Sequence, residues 1–284
     1  MKYNYGGLNI DALSVGGQYT SILIQNHRMA IDMGICSDAA IRCDKVFFTH
    51  AHADHMAGVI RHCSSREMMH MAPPTYYMGA ENTDAFEKML VQWRRLNHSK
   101  MPCKVVAMTP GESVSIHPKW NVSAFRSVHR VPCQGYLLSE KRKKLKEAFK
   151  GLSSNEISAI RKKGEEVVSV ESIPIAAYTG DSTLDVLTLN PILQRVKLLI
   201  IELTFVNDAV SSESARKHGH IHIEDIEADC QLFQNERILL MHLSARHDRQ
   251  TALDELNKRL PKDLMSRIDV LGNRSIFKTD KAEK

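Results

Sequence analysis

At 284 residues, 43% of them apolar and 25% charged, the chain has the composition of an ordinary globular protein with ample material for a core. No stretch approaches the roughly 20 consecutive apolar residues of a membrane-spanning helix, and Met1-Lys2-Tyr3-Asn4-Tyr5-Gly6-Gly7 lacks the apolar core of a secretory signal, so a cytoplasmic protein with no membrane partner is expected. Six cysteines stand singly with no C-x-x-C spacing, which excludes a disulfide framework and a thiolate zinc site.

The net charge of +5 is unevenly spread: nine basic residues face two acidic ones between Lys141 and Lys163, a local +7 that leaves −2 for the rest. Fourteen histidines are the larger anomaly, because a cytosolic chain needs a reason to carry so many potential ligands.

Thr20-Ser21-Ile22-Leu23-Ile24 and Met29-Ala30-Ile31-Asp32 are apolar runs joined by a polar tetrapeptide, a hairpin pattern. It closes on Asp32-Met33-Gly34, where aspartate near glycine suits a turn. Lys45-Val46-Phe47-Phe48 reads as a short buried strand delivering Thr49-His50-Ala51-His52-Ala53-Asp54-His55 into the start of a helix. Three imidazoles and a carboxylate in one loop are donors that zinc and neighbouring divalent metals prefer. His50 and His52, two apart on extended backbone, can face one cation, and Asp54 and His55 on the turn beyond can face a second.

A short helix is predicted over 57–64, then a break at Pro73-Pro74. An amphipathic helix follows from Asn82, capped by Asn82 or Thr83, with Phe86, Met89, Leu90, Trp93 and Leu96 as a core-facing stripe. Residues 104–108, 113–116 and 122–125 read as a strand meander ending at Ser127-Val128-His129. In the basic segment Ser153 or Ser154 caps a short helix ending near Gly164. Its charge serves either as a solvated face or as a funnel toward a phosphodiester site.

Ile173-Pro174-Ile175-Ala176-Ala177-Tyr178 delivers Thr179-Gly180-Asp181, where glycine allows close approach and the carboxylate has two oxygens to share between cations. Lys197-Leu198-Leu199-Ile200-Ile201 delivers Glu202, and His218-Gly219-His220-Ile221-His222 precedes a helix expected from Glu224 to about Asn235. Arg237-Ile238-Leu239-Leu240-Met241 delivers His242, followed by a last helix from about Arg249 to Leu260. Strand followed by ligand recurs at 50–55, 129, 181, 202 and 242 with no repeat or linker between. This predicts one domain over residues 1–284 with an inserted basic arm at about 141–170.

The His-x-His-x-Asp-His stretch after a strand resembles the signature of the metallo-β-lactamase superfamily. The resemblance implies an α/β (α+β) fold, the four-layer αββα sandwich, with two metals at one edge. By the same resemblance His50, His52 and His129 hold the first metal, Asp54, His55 and His242 the second, Asp181 bridges them and Asp32 braces the metal loop. Gly219-His220-Ile221-His222, Ile201-Glu202-Leu203-Thr204-Phe205 and His242-Leu243-Ser244-Ala245-Arg246 resemble the ribonuclease Z branch, in its short plant-like form, over nearly the whole chain. Gly151-Leu152-Ser153-Ser154-Asn155-Glu156-Ile157 in the inserted segment is similar to it as well.

That resemblance implies a dinuclear, metal-dependent phosphodiester hydrolase, an endonuclease processing the 3′ ends of transfer RNA precursors. It also implies two divalent ions per chain, Zn2+ with Mn2+ as the other option, and a homodimer. Asp54, His220 and Glu202 are then the catalytic residues, with His220 paired to Glu202 for protonating the leaving 3′-oxygen. Leu203 stands where the family commonly has alanine, Ile221-His222 replaces Ser-Thr, and the inserted segment lacks the Gly-Pro element of the longer arm. The last departure keeps a second expectation open: a phosphodiesterase of the anti-Pycsar type that degrades cyclic mononucleotides in phage counter-defence. Thioester hydrolysis of the glyoxalase II type fits less well, because of His220 and Ser244-Ala245-Arg246.

Overall fold

The computed structural model describes residues 1–272. Among them, two seven-stranded sheets lie face to face. The first runs β1 (Lys2–Tyr5), β2 (Leu8–Val15), β3 (Tyr19–Ile24), β4 (Met29–Met33), β5 (Lys45–Phe47), β6 (Thr75–Gly79) and β7 (Lys104–Met108), in that spatial order. The second is made of β8 (Ser113–His117), β9 (Trp120–Arg126), β10 (Gln134–Leu145), β11 (Val168–Tyr178), β12 (Leu198–Glu202), β13 (Arg237–Met241) and β14 (Ile268–Val270), again neighbours in chain order.

Each sheet begins antiparallel and turns parallel at its fourth strand, at β4–β5 in one and β11–β12 in the other. The sequence shows no repeat, yet the topology is repeated. A parallel connection needs a crossover, usually through a helix, and those crossovers put α1 (Asp38–Ile41), α2 (Ala53–Met56), α3 (Val59–Met68) and α4 (Ala80–Asn97) against the first sheet. The α5 helix (Ser154–Lys162) rides on the β10–β11 connection. On the second sheet lie α6 (Asp185–Leu189), α8 (Ile223–Ala228), α9 (Arg249–Arg259) and α10 (Lys262–Met265), while α7 (Ser212–Lys217) precedes α8.

Three apolar layers therefore hold the αββα sandwich together. Ile22, Ile24 and Phe47 meet Tyr136, Tyr178 and Ile200 between the sheets. On β12, Leu198 and Ile200 face that middle layer while Leu199 and Ile201 face the helices. A strand buried on both faces must be apolar throughout, which accounts for its unbroken run.

The arm is the outer part of the β10–β11 hairpin. Pairing with β9 stops at Glu140 and pairing with β12 covers only Ala176–Tyr178. From Arg142↔Glu171 to Leu145↔Val168 no third strand pairs with either of them. Ser153 caps α5 with a full capping box, as its spacing to Glu156 predicts.

Some expectations are corrected. The long helix begins at Ala80 after Gly79, with no side-chain cap, so neither Asn82 nor Thr83 is its N-cap. The helix expected to reach Asn235 ends at Ala228 and gives way to a 3-10 turn. Only part of the α4 stripe enters the core: Phe86 and Leu90 are buried, but Met89, Trp93 and Leu96 are 38%, 41% and 74% exposed. Periodicity marks one side of a helix as apolar without saying how much of it the fold covers.

Candidate metal centre

The C-terminal ends of the parallel strands converge on one edge of the sandwich, where open α/β sheets commonly place their sites. The loop after β5 is pressed onto the end of β4 so closely that a Cβ on Gly34 would lie 1.7 Å from Asp54 O, and one on Gly58 2.6 Å from Met33 O. Only glycine allows that approach. The packing holds His50, His52, Asp54 and His55 against Asp32, whose carboxylate accepts from Thr49 N at 2.8 Å and contacts His55 Nδ1 at 2.7 Å.

Two donor sets result. In the first, His52 Nδ1 lies 3.0 Å from His50 Nε2 and 3.4 Å from His129 Nε2, and Asp181 Oδ2 is 3.7 Å from His50 Nε2. In the second, His55 Nε2 and His242 Nε2 are 3.4 Å apart, with Asp54 Oδ2 at 3.6 and 3.5 Å from them and Asp181 Oδ1 at 3.3 and 3.5 Å. Ligands ~2.1 Å from a tetrahedral cation sit roughly 3.4 Å from one another, so both sets have the spacing a zinc-sized ion requires. Asp181 Oδ1 is buried and accepts no hydrogen bond. An orphaned carboxylate oxygen between two imidazoles is costly unless something positive meets it, and a divalent cation fits.

Four of the imidazoles are oriented through their other nitrogen. His50 Nδ1 meets Thr49 Oγ1 at 3.0 Å, His129 Nδ1 meets Gly219 O at 2.9 Å, His55 meets Asp32, and His242 Nδ1 meets Thr204 Oγ1 at 3.0 Å. Such contacts fix the ring and the tautomer of a ligand. Asp32 and His242 both have left-handed backbones, with φ of 55° and 64°, strain that a structure holds only where its surroundings over-determine the geometry.

Burial and the carboxylates pull the charges of the site in opposite directions. Burial, then His55, push the His50 pKa down to about 2, keeping it a neutral ligand. Burial disfavours charge on His55, yet Asp181 and Asp32 outweigh it and hold the pKa well above the ordinary value. Burial would likewise raise Asp181, but His242 and His55 keep it well below the usual carboxylate range.

Beside the second set, His220 Nδ1 contacts Glu202 Oε1 at 2.8 Å. Burial lowers the His220 pKa and Glu202 more than offsets that, leaving it at about 9. Glu202 is buried and also accepts from Ser182 N at 2.9 Å, from Ile221 N at 3.3 Å and from Thr204 Oγ1. His220 also lies within ligand reach of Asp181 and His242. His222 is the N-cap of α8: its Nδ1 accepts from Glu224 N at 3.3 Å and its Nε2 contacts Asn207 O at 3.1 Å. An imidazole thus fills the cap that Ser-Thr residues usually make.

All nine residues expected from the sequence, His50, His52, Asp54, His55, His129, Asp181, Glu202, His220 and His242, fall in this cluster. Sequence reasoning missed Thr204, the Gly219 carbonyl, and Gly17, whose amide donates to Asp54 Oδ2 at 3.0 Å. The Gly16-Gly17 pair was the available signal for that last contact.

Two cavities flank the donors. One, of about 490 Å³, is lined by Thr49, Arg126, His129, Arg130 and Gln134, and the other, of about 370 Å³, by Gly17, Phe205, His220, His242 and Arg246.

No family model matches the chain. It is 35% identical over 267 residues to a tRNase Z of Arabidopsis thaliana, covering 93% of this chain and 95% of that one. A chloroplastic tRNase Z of the same plant is 30% identical over 240 residues, covering 84% and 68% respectively. Among solved structures, the short form of human tRNase Z superposes with a TM-score of 0.58 at 18% identity, over 84% of this chain and 93% of that one. The metallo-β-lactamase fold protein YhfI of Bacillus subtilis superposes with a TM-score of 0.62 at 15% identity, over 93% and 96%. These two likenesses concern the fold alone.

Proposed function

Because the chain belongs to the tRNase Z family, within the metallo-β-lactamase fold, we propose that it is a metal-dependent endonuclease that cuts transfer RNA precursors at their 3′ ends. The observation that carries this is 35% identity across 95% of a tRNase Z, joined to a site with both donor sets and the Glu202–His220 pair. Cavities on both sides of the donors suit a chain that continues past the scissile phosphate in each direction.

His50, His52 and His129 would hold one divalent ion, Asp54, His55 and His242 another, with Asp181 shared between them. Zn2+ suits the imidazole and carboxylate donors, and Mn2+ is the other option. Such ions supply a nucleophile at neutral pH and offset charge developing on the phosphate. Asp54, partly open to solvent and held by the Gly17 amide, accepts the proton of the attacking water. His220 keeps Nδ1 on Glu202 and turns Nε2 toward the leaving 3′-oxygen, to which it donates a proton.

One domain spans the chain, and the arm grips the body of the RNA. Met89, Trp93 and Leu96 of α4, exposed side by side at helical spacing, form the contact between two copies in a homodimer. Six unpaired cysteines accord with a reducing, cytoplasmic setting.

The deciding experiment incubates the metal-loaded protein with a transfer RNA precursor and, in parallel, with 3′,5′-cyclic mononucleotides. Cleavage of the precursor to a 3′-hydroxyl end and a 5′-phosphorylated trailer is expected. Efficient cyclic-nucleotide hydrolysis with no precursor cleavage would replace this reading.

A further inference from the structure

Cys36, Cys43 and Cys63 are buried in the layer between the first sheet and its helices, and Cys103 packs against that layer. Two of these differ from the rest. Cys63, on α3, and Cys103, just before β7, are near enough for each thiol to shift the other, Cys63 upward and Cys103 downward. Arg94 of α4 reaches the same place: its Nη2 lies 3.4 Å from Cys103 Sγ and donates to Met101 O at 3.0 Å. Cys63 Sγ approaches Pro102 O at 3.7 Å. The loop before Cys103 is tied down, since Lys100 N and Met101 N donate to the Glu67 carboxylate at 3.1 and 2.8 Å. Cys63 is buried and Cys103 partly exposed, so an outer thiol is backed by an inner one.

We propose that Cys63 and Cys103 form a peroxide-reactive dithiol, a modification site separate from the metal centre, that closes to a disulfide tying α3 to the start of β7. The assignment does not depend on the nuclease reading. A thiolate is the reactive form, and cationic neighbours favour it. Among the six cysteines, Cys103 is the one whose pKa falls, to about 7: the Cys63 thiol and the Arg94 guanidinium beside it outweigh its burial. Burial pushes Cys36 up to about 11 and Cys43 up to about 12, and raises Cys133 and Cys230.

The chemistry balances with hydrogen peroxide as oxidant. The Cys103 thiolate attacks one peroxide oxygen; an S–O bond forms, the O–O bond breaks, and the departing hydroxide takes up the proton Cys103 had lost. Cys63 then attacks the sulfenic sulfur; the S–S bond forms, the S–O bond breaks, and the Cys63 proton leaves with the hydroxyl as water. Two thiols lose two electrons in all, and one peroxide becomes two waters. The bridge encloses β6 and all of α4 within residues 63–103, a loop whose closure restricts the unfolded chain.

The test treats metal-loaded protein with one equivalent of hydrogen peroxide, blocks free thiols, and maps the peptides without reduction. A Cys63–Cys103 linked pair, lighter by two hydrogens and lost on reduction, is expected. Alkylation of Cys103 should show a midpoint near pH 7, moved upward in Arg94→Met. In Cys63→Ser the reaction should stop at a sulfenic acid that dimedone traps on Cys103. The proposal fails if Cys103 is alkylated no faster than Cys230 at pH 7, or if peroxide carries Cys103 to sulfinic acid without the linkage. Both outcomes can be read in the parent protein, so they stand even if a variant does not fold.

Discussion

At Glu202 the amides of Ser182 and Ile221, the Thr204 hydroxyl and the His220 imidazole converge on one buried carboxylate. Its charge keeps His220 protonated to about pH 9, whereas an unpaired histidine titrates near 6.5. On a transfer RNA precursor, turnover should therefore fall as pH rises through about 9, where the proton donor is lost. In Glu202→Gln that descending limb should move down toward the ordinary histidine value, while bis(p-nitrophenyl) phosphate, whose leaving group needs little protonation, shows no such move. His220→Ala should keep its metals and lose on the order of 10²–10⁴-fold on the precursor; equal losses on both substrates would remove His220 from the acid role. Asp181 calls for the opposite result. Asp181→Ala leaves both donor sets one oxygen short, so metal content by elemental analysis and activity should collapse together. An Asp181→Ala protein retaining two ions per chain would refute the sharing. Side chains of this kind were legible because ligand chemistry has a residue alphabet of histidine and aspartate. The Gly219 carbonyl and Gly17 amide were not, since any residue carries the same backbone groups.

For the arm, the run of basic residues was legible but its pairing was not. Arg142, Lys144 and Lys146 meet Glu140, Glu171 and Glu166, all outside the window in which the charge is concentrated. The β10–β11 hairpin brings Lys144 to Glu171 and Lys146 to Glu166, which a linear count cannot see, while Arg142 reaches Glu140 two residues back on its own strand. Among the described residues, Lys143, Arg161, Lys162 and Lys163 have no carboxylate partner and remain available to phosphates. Neutralising these four should weaken precursor binding by at least about tenfold and reduce the salt dependence by roughly one unit per lost phosphate contact. Neutralising Arg142 and Lys144 should do less. Titrations at several salt concentrations check both, and an unchanged salt slope in the fourfold variant would make the arm a solvated face. Most strands feeding the site were read within a residue or two because burial on both faces leaves long apolar runs, as in β12, whereas β11 begins at Val168, five residues before its apolar run at Ile173, because its outer part belongs to the exposed arm. β6, only five residues behind Pro73-Pro74, lacked such a run.

At the scale of the molecule, the α4 stripe is an apolar feature that the fold leaves uncovered. Trp93→Glu together with Leu96→Glu should convert a dimer to a monomer in sedimentation with little change in melting temperature, since both side chains are substantially exposed in the single chain. A parent protein that sediments as a monomer would end that assignment. The strand-then-ligand spacing made one domain with an arm legible, and the sandwich came through the resemblance of the His-x-His-x-Asp-His stretch; the repeated topology was not legible, because the two sheets share connectivity rather than residues. That repetition gives each donor set a mixed parentage. The first combines His50 and His52 with His129 and Asp181, the second Asp54 and His55 with His242 and Asp181, so an ion held in either set would be gripped by loops from both sheets at once. Neither half alone carries a complete donor set. An ion that recognises only the assembled pair stabilises the fold by mass action, about 2.7 kcal/mol at a hundredfold excess over its dissociation constant. The melting temperature should then climb with free zinc and drop on chelation, with both sheets losing hydrogen-exchange protection together. The fraction of chain that is folded thereby becomes a gauge of the free metal around it.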